Sequence, residues 1–241
     1  MARLPHPSDL LPRPNELLPP PPPKPPRRTV VAALAFAAGA SLPLLRTWML
    51  TFGSTEDELD ATLPGDDLLR KAHLVATRTV GIAAPPAAVW PWVAQIGQGR
   101  GGFYSYDALE NLAGCDIHSA DRIVPELQDI AVGEQVHLAP AVAVALDVVV
   151  AEPERALVLR GALAPGASAP PYDFTWAFVL RPGRDGGTRL VVRERYLYKA
   201  RWARLLVEPV SVVSWVMSQK MLRGIRDRAQ AAYRWSPPPE G

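Results

Sequence analysis

The feature that most constrains the fold of this chain is a run of strand-like segments that leads into one long amphipathic helix. After Val132, five short segments are rich in β-branched and aromatic residues. Turn-forming stretches such as "EPE" at 152–154 and "PGRDGG" at 182–187 separate them. Because links this short join antiparallel neighbours, the pattern predicts an antiparallel sheet. The five segments are "EQVHLA", "AVALDVVVAE", "RALVLRG", "YDFTWAFVLR" and "TRLVVRERYLYK".

One long helix is predicted from Pro209 to Tyr233, because apolar residues recur there along one side at helical spacing. That side carries Val213, Val216, Met217, Met221, Ile225, Ala229 and Ala232. The other side is mostly basic, with Lys220, Arg223, Arg226 and Arg228. This arrangement is typical of a helix that packs on a core along one side only.

Three further elements are predicted before the run of strands. Leu74–Ile82, "LVATRTVGI", has the β-branched content of a strand. Pro86 suits the first turn of a helix, and apolar residues follow at helical spacing as far as Ile96. A second short helix is predicted from Tyr104 to Leu112, with Ser105 as its cap.

The first 28 residues have the composition of a disordered tail. Eleven of the 27 prolines fall within the first 26 residues, and such a stretch favours extended polyproline II over a packed core. Proline tracts serve as spacers or dock on aromatic grooves, and both interpretations stay open here. Residues 53–73 are acidic and turn-rich and are predicted to be a linker, and residues 236–241 a disordered end.

Residues 29–52 contain an apolar segment at the lower limit of what can span a membrane. The 17 residues from Thr29 to Leu45 carry no charge and lie between Arg28 and Arg46. A single membrane anchor is favoured, with Trp48 at the interface and the basic tail in the cytoplasm. A cleaved export signal and a helix docked on the domain are the alternatives. The sequence therefore predicts a membrane-associated protein, and a cytoplasmic or an exported protein is the alternative.

Charge and cysteine content exclude two classes of protein. The net charge is +2, but residues 1–28 hold five Lys and Arg against two Asp and Glu. The body therefore lacks the basic charge of a nucleic-acid binder, and no nucleic-acid partner is expected. Cys115 is the only cysteine in the sequence, which excludes an internal disulfide framework.

A glycine-rich stretch resembles a nucleotide-binding motif at first sight, since Gly97, Gly99 and Gly102 spell G-x-G-x-x-G. A dinucleotide cradle needs a strand before the first glycine and a helix after the last. Here a helix is predicted before Gly97 and no parallel β-α-β unit follows, so nucleotide binding is not expected. The glycines instead predict a sharp turn with positive φ, and "FYSY" adds an aromatic edge.

The order of strand, two short helices, antiparallel strands and long helix resembles the SRPBCC superfamily, as do "AVWPWVAQIGQGRGGFYSYDALENLAGCDIHSADRIVPE" and "KMLRGIRDRA". This group, also called START-like or Bet v 1-like, includes lipid-transfer domains and polyketide cyclases. The resemblance covers Leu74 to Arg234 and is greatest to bacterial members with an N-terminal hydrophobic segment. It implies an α+β helix-grip fold over residues 74–235, with a curved antiparallel sheet wrapped around the C-terminal helix and a cavity for an apolar ligand.

Period-two alternation predicts which strand residues would face such a cavity. One face of the predicted strand "YDFTWAFVLR" carries Phe174, Trp176, Phe178 and Leu180. One face of the predicted strand "TRLVVRERYLYK" carries Leu190, Val192, Glu194, Tyr196 and Tyr198. An aromatic row of this kind is more often part of an ordinary core, and in a helix-grip fold the same row would line the cavity. A carboxylate at Glu194 is costly to bury unless it is paired or protonated, so it is either exposed at an edge or a polar anchor of the pocket.

A gate at the cavity entrance is expected from six residues that follow the glycines: Tyr104, Tyr106, Asp107, Asn111, His118 and Arg122. The predicted ligand-binding residues are Tyr104, Tyr106, Asp107, Asn111, His118, Arg122, Phe174, Trp176, Phe178, Glu194, Tyr196, Met217 and Met221. The alternative for "DIHSADR" is a loop held by local hydrogen bonds, with an ion pair from Asp121 to Arg122 or Arg100. A metal site on Asp116, His118 and Asp121 is disfavoured because no metal-binding spacing supports it, and no cofactor is expected.

The expected function is reversible binding of a hydrophobic or amphipathic small molecule, such as a lipid, an isoprenoid or a polyketide. A cyclase- or dehydratase-like enzyme using the same cavity is the alternative, with Asp107, His118 and Glu194 as candidate acids or bases. Covalent catalysis is not expected, because the sequence holds no G-x-S-x-G motif. A third possibility is a membrane-tethered interaction module that works through the proline-rich tail.

Overall fold

The structure, a computed structural model, describes residues 41–139, 145–161 and 169–235. Contacts divide the chain into two units, residues 1–44 and 45–241. Of the first unit, residues 41–44 are described, and they are helical and exposed. The predicted tail, the predicted disordered end and residues 29–40 of the predicted anchor lie outside the described residues. Within the described ranges, no helix combines the length and the apolar character needed to cross a bilayer.

Six antiparallel strands form one curved sheet in the order β1-β6-β5-β4-β3-β2. The strands are β1 (Leu74–Ile82), β2 (Gln135–His137), β3 (Ala145–Glu152), β4 (Ala156–Gly161), β5 (Tyr172–Pro182) and β6 (Thr188–Tyr198). Each segment that alternation and turn residues predict as a strand contains one. The register of β3 against β4 shifts between Val148 and Val150, an irregularity of the kind that bends a sheet.

The described helices of the second unit are α1 (residues 45–50), α2 (Glu56–Asp60), α3 (Pro86–Ala94), α4 (Asp107–Leu112) and α5 (Ala203–Trp235). The long α5 against the antiparallel sheet confirms the predicted α+β helix-grip fold.

Two helix boundaries differ from the sequence-based expectation. α5 begins at Ala203, because Pro209 is accommodated inside the helix and does not start it. α4 begins at Asp107, and Ser105 does not cap it. The Ser105 hydroxyl instead donates to the backbone oxygen of Met217 at 3.0 Å, which ties the loop before α4 to α5.

The main core lies between one face of the sheet, α3 and the second half of α5. Phe178 and Leu190 from neighbouring strands are fully buried there, as is Ile225 of α5. The expectation that Val213 and Val216 face inward is wrong, since they are 61% and 38% exposed. From Val210 to Ser218, most apolar residues of α5 follow the outer side of the helix, and serines take the inner side.

The opposite face of the sheet is covered by residues 53–73, the stretch predicted as a linker. Arg193 of β6 is 3% exposed and donates to the Asp66 carboxylate at 2.6 Å and to the backbone oxygen of Glu58 at 2.7 Å. Arg189 makes two hydrogen bonds of 2.7 Å to the carboxylate of Glu58. The acidic stretch therefore packs on the sheet because strand arginines bind its carboxylates and carbonyls.

Candidate functional site

A cavity of about 230 Å³ lies between the inner face of the sheet, the loops around α4 and the middle of α5. The sheet contributes Phe174, Trp176, Glu194 and Tyr196 to its wall. α5 contributes Ser214, Met217, Ser218 and Met221. The loops and α4 contribute Phe103, Ser105, Glu110, Cys115, Ile117 and Leu138. An apolar cavity of about 150 Å³ in another protein takes up benzene, so this one has room for a larger ring or a short chain.

The register of β5 against β6 places the aromatic row on the cavity wall. Trp176 lies opposite Glu194, and Phe174 lies opposite Tyr196 with ring centroids 4.7 Å apart. Cross-strand partners share one face of a sheet, so these four side chains point to the same side. Phe178, next along the row, is fully buried in the core and is not part of the cavity wall.

Glu194 is the polar centre of the site. It is 3% exposed, and its carboxylate lies 2.8 Å from the guanidinium of Arg78, which is 1% exposed. Ser214 donates to the same carboxylate oxygen at 2.6 Å, and the Tyr196 hydroxyl donates to the other at 3.3 Å. Of the two sequence-based alternatives, exposure at an edge is therefore wrong. The carboxylate is buried because Arg78 of β1 supplies the opposite charge.

Arg78 is itself held by several groups. Its Nε donates to the backbone oxygen of Met49 at 3.2 Å, and a terminal nitrogen lies 3.3 Å from the Ser214 hydroxyl. These contacts join β1, α1 and α5 around one guanidinium. Burial raises the pKa of Tyr196 well above its usual value, and the negative charge of Glu194 raises it further. The phenol therefore stays protonated and acts as a donor to Glu194.

A second carboxyl group on the cavity wall belongs to Glu110 of α4, a residue that the sequence does not single out. Burial raises the pKa of Glu110 to about 7, and the nearby charge of Asp107 adds to the effect. Its Oε2 atom is buried and has no hydrogen-bond partner among the described residues, and the same holds for Nε1 of Trp176. Buried polar atoms without partners are rare, so both are positions where a bound molecule could form a hydrogen bond.

Two of the residues predicted as a gate hold the loop that follows α4. The Asp107 carboxylate accepts hydrogen bonds from the backbone nitrogen and the hydroxyl of Ser119, at 2.7 and 2.6 Å. The side chain of Asn111 donates to the backbone oxygen of Ile117 at 2.8 Å. These bonds fix the loop that places Cys115 and Ile117 on the cavity wall, as the alternative of a loop held by local hydrogen bonds expects.

The other predicted gate residues do not line the cavity. Tyr104 is 1% exposed, and its ring lies beneath the guanidinium of Arg228, 5.1 Å from the ring centroid. The His118 side chain is 80% exposed, and Tyr106 and Arg122 are also exposed. Their part in ligand binding stays a prediction.

No group of three His, Cys, Asp or Glu side chains in the described residues is close enough to hold a metal ion. His118 lies 3.1 Å from Asp116. Asp121 pairs with Arg228 at 2.8 Å, so its expected pairing with Arg122 or Arg100 is wrong.

The glycine-rich stretch forms the sharp turn predicted for it. Gly97 and Gly102 exchange two backbone hydrogen bonds of 3.0 Å, with φ of +130° and +71°. A Cβ atom on Gly102 would lie 2.8 Å from the Cα of Ser119, so the close approach of the two loops requires glycine. Because these backbone amides are paired inside the turn, they are not directed at a phosphate.

Six of the predicted ligand-binding residues come together on the wall: Phe174, Trp176, Glu194, Tyr196, Met217 and Met221. The sequence reasoning missed Glu110 and the serines of α5. Ser214 and Ser218 are one helical turn apart, a polar stripe that could have indicated a helix side facing a buried charge. Arg78, on the same alternate positions of β1 as Leu74 and Ile82, is the matching signal on the sheet.

No family model and no curated protein sequence matches the chain. Among solved structures, it is similar to the protein MLL2253 of Mesorhizobium loti, with 15% identity and a TM-score of 0.40 over 64% of this chain and 98% of that chain. For TTHA0849 of Thermus thermophilus, the identity is 18% and the TM-score 0.35, over 66% of this chain and 99% of that chain. For the di-domain ARO/CYC StfQ of the steffimycin biosynthetic pathway, the identity is 13% and the TM-score 0.41, over 69% of this chain and 53% of that chain. Similarities this low do not assign the chain to a family.

Removing one member of the buried ion pair should destabilise the protein more than removing both. Glu194→Ala leaves Arg78 buried without its counter-charge, and we expect the free energy of unfolding to fall by roughly 3–5 kcal/mol. The paired change Arg78→Met with Glu194→Leu should recover most of this loss, as urea denaturation of the single and double variants would measure. A double variant no more stable than Glu194→Ala would contradict the assignment of Arg78 and Glu194 as a buried ion pair.

Glu110→Gln should stabilise the protein at high pH only. Folding raises the carboxyl pKa from 4.5 to about 7, so between these values the folded state binds more protons and stability falls as the pH rises. The variant lacks this penalty. After allowance for partial solvent contact, its gain in unfolding free energy should be on the order of 1–2 kcal/mol at about pH 8 and vanish at about pH 4. The exposed Glu126→Gln is the matched control, and an equal gain at both pH values would refute the prediction.

Proposed function

We propose that the chain binds a hydrophobic or amphipathic small molecule, of lipid, isoprenoid or polyketide type, in the cavity between the sheet and α5. The observation that carries the proposal is a cavity of about 230 Å³ with a largely apolar wall. Burial of apolar ligand surface contributes about 25 cal/mol per Å², and a few polar groups set the orientation.

The cavity wall combines rigid and adaptable apolar groups. Phe174 and Trp176 of β5 offer ring faces held by the sheet. On the other side, Met217 and Met221 of α5 offer flexible thioether chains that can adjust to a ligand's shape. This combination suits a ring system or a branched chain.

Charge on the cavity wall favours a neutral ligand. Glu194 is neutralised by Arg78, and the wall formed by the described residues includes no lysine, arginine or histidine side chain. A carboxylate ligand would therefore enter without a counter-charge and beside Glu110, at a cost in desolvation. A hydroxyl or carbonyl group can instead form a hydrogen bond with Trp176 Nε1 or Glu110 Oε2.

Binding can be tested on the full chain by native mass spectrometry for a co-purified molecule and by calorimetric titration with defined probes. We expect 1-naphthol or geraniol, which are neutral, to bind more tightly than decanoate. Cys115→Trp fills the cavity and should weaken binding about tenfold or more. Leu112→Trp is the matched control, because Leu112 is 86% exposed and lies off the cavity wall.

Two results would contradict the proposal. One is the absence of any co-purified molecule together with no binding of either neutral probe. The other is binding that Cys115→Trp and Leu112→Trp leave equally unchanged, which would place the ligand elsewhere.

Catalysis in the same cavity is a second candidate, and Glu110 is the observation that favours it. A carboxyl group with a pKa of about 7 suits a general acid or base near neutral pH. Asp107 is engaged by Ser119, His118 lies off the cavity wall and Glu194 is paired with Arg78. If the chain is an enzyme, we expect the wild type to co-purify with product and Glu110→Gln to co-purify with unconverted substrate, a mass difference that native mass spectrometry would measure. The third expectation, an interaction module, concerns a tail outside the described residues.

A further inference from the structure

The first half of α5 has its apolar side turned away from the sheet. Trp202, just before the helix, is 59% exposed, Leu205 is 79% exposed and Val213 is 61% exposed. The same outer side also carries Leu206, Val210, Val212 and Val216, all exposed. We call these seven side chains the outer face.

The inner side of α5 is polar where it passes the ion pair, after the buried Ala203 and Val207 of its first turns. Ser211 and Ser218 are buried, and Ser214 donates to the buried Glu194. From Val210 to Ser218 the helix is therefore amphipathic in the sense opposite to that of a helix packed on a core. Packing against the sheet explains why the serines face inward, but it does not explain why the apolar side chains of the outer face are exposed.

The second half of the same helix follows the usual pattern. Met221 and Ile225 are buried, whereas Lys220, Arg223 and Asp227 are exposed. On α5, the exposed large apolar side chains other than Tyr233 thus lie in the first half. It extends onto α1, where Leu45 and Trp48 are each 48% exposed and the Trp48 ring lies 5.3 Å from that of Trp215. Exposed apolar patches of this extent mark interaction surfaces.

The charges at the border of the outer face are basic. Arg201 and Arg204 lie beside Trp202 at its start, Lys220 and Arg223 lie after it, and all four are exposed. The carboxylate between them, Glu208, is bound by Arg46 at 2.8 Å. Exposed cations therefore flank the apolar surface at both ends.

We infer that the outer face of α5, together with Leu45 and Trp48, docks on the surface of a lipid bilayer that contains anionic lipids. Tryptophan and aliphatic side chains on one side of a helix, with lysine and arginine beside them, are typical of helices that lie in the membrane interface. The flanking cations would meet anionic headgroups. A second copy of the chain fits less well, because a two-fold contact through this face brings the same cations together.

This inference goes beyond the proposed ligand binding and does not rest on it. The two sites are nevertheless neighbours, since Met217 lines the cavity and directly follows Val216 of the outer face. A chain docked in this way would hold the cavity next to the bilayer.

The test is flotation of the full chain with vesicles of equimolar phosphatidylcholine and phosphatidylserine. We expect binding that is weaker on pure phosphatidylcholine and at high salt. Leu205→Gln with Val213→Gln should lower the partition coefficient about tenfold. Val132→Gln is the matched control, because Val132 is 64% exposed in the loop before β2. Arg201→Gln with Arg204→Gln should reduce binding to the anionic vesicles and leave the apolar surface intact.

Equal binding by the wild type and by Leu205→Gln with Val213→Gln would overturn the inference, because another part of the chain would then carry the binding. A failure of the wild type to bind the anionic vesicles would also overturn it. Light scattering tests the alternative that a second copy of the chain binds the outer face. A dimer that Leu205→Gln with Val213→Gln dissociates, without vesicle binding, would assign the outer face to a second copy.

Discussion

The buried ion pair between Arg78 and Glu194 is the constraint on which the rest of the site depends. Two charges in a water-poor interior are tolerated only when hydrogen bonds satisfy them as well. α5 provides such groups with Ser214 and Ser218, which both lie within hydrogen-bonding distance of the Glu194 carboxylate. Because serine is small, the helix fills less space here than it would with leucine or phenylalanine. The cavity lies at this point, and both serines are on its wall.

The same constraint explains the two sides of α5. With polar residues facing the ion pair, the apolar residues of the first half, such as Leu205 and Val213, lie on the outer side. Farther along the helix, where no charge is buried beneath it, Met221 and Ile225 return to the inside. A single buried pair thus accounts for the polar stripe on the inner side of α5.

The strands and the aromatic row could be predicted from the sequence because their signals are local. Alternation and turn residues give the bounds of β1 and place Phe174 and Trp176 on one face. Whether Glu194 is buried or exposed could not be predicted, because its partner Arg78 is 116 positions away and their contact depends on the order of strands in the sheet. Which side of the first half of α5 faces inward could not be predicted for a related reason. An apolar stripe shows where a helix is hydrophobic but not which partner covers it.

The central claim is that the space between the sheet and α5 is an apolar cavity held open beside a buried ion pair. A crystal structure of the protein under xenon pressure tests this most directly, since apolar cavities of this size take up xenon. Our account predicts a xenon atom between Trp176, Met217 and Met221. A structure without xenon, in which these three side chains touch one another and close the space, would contradict it.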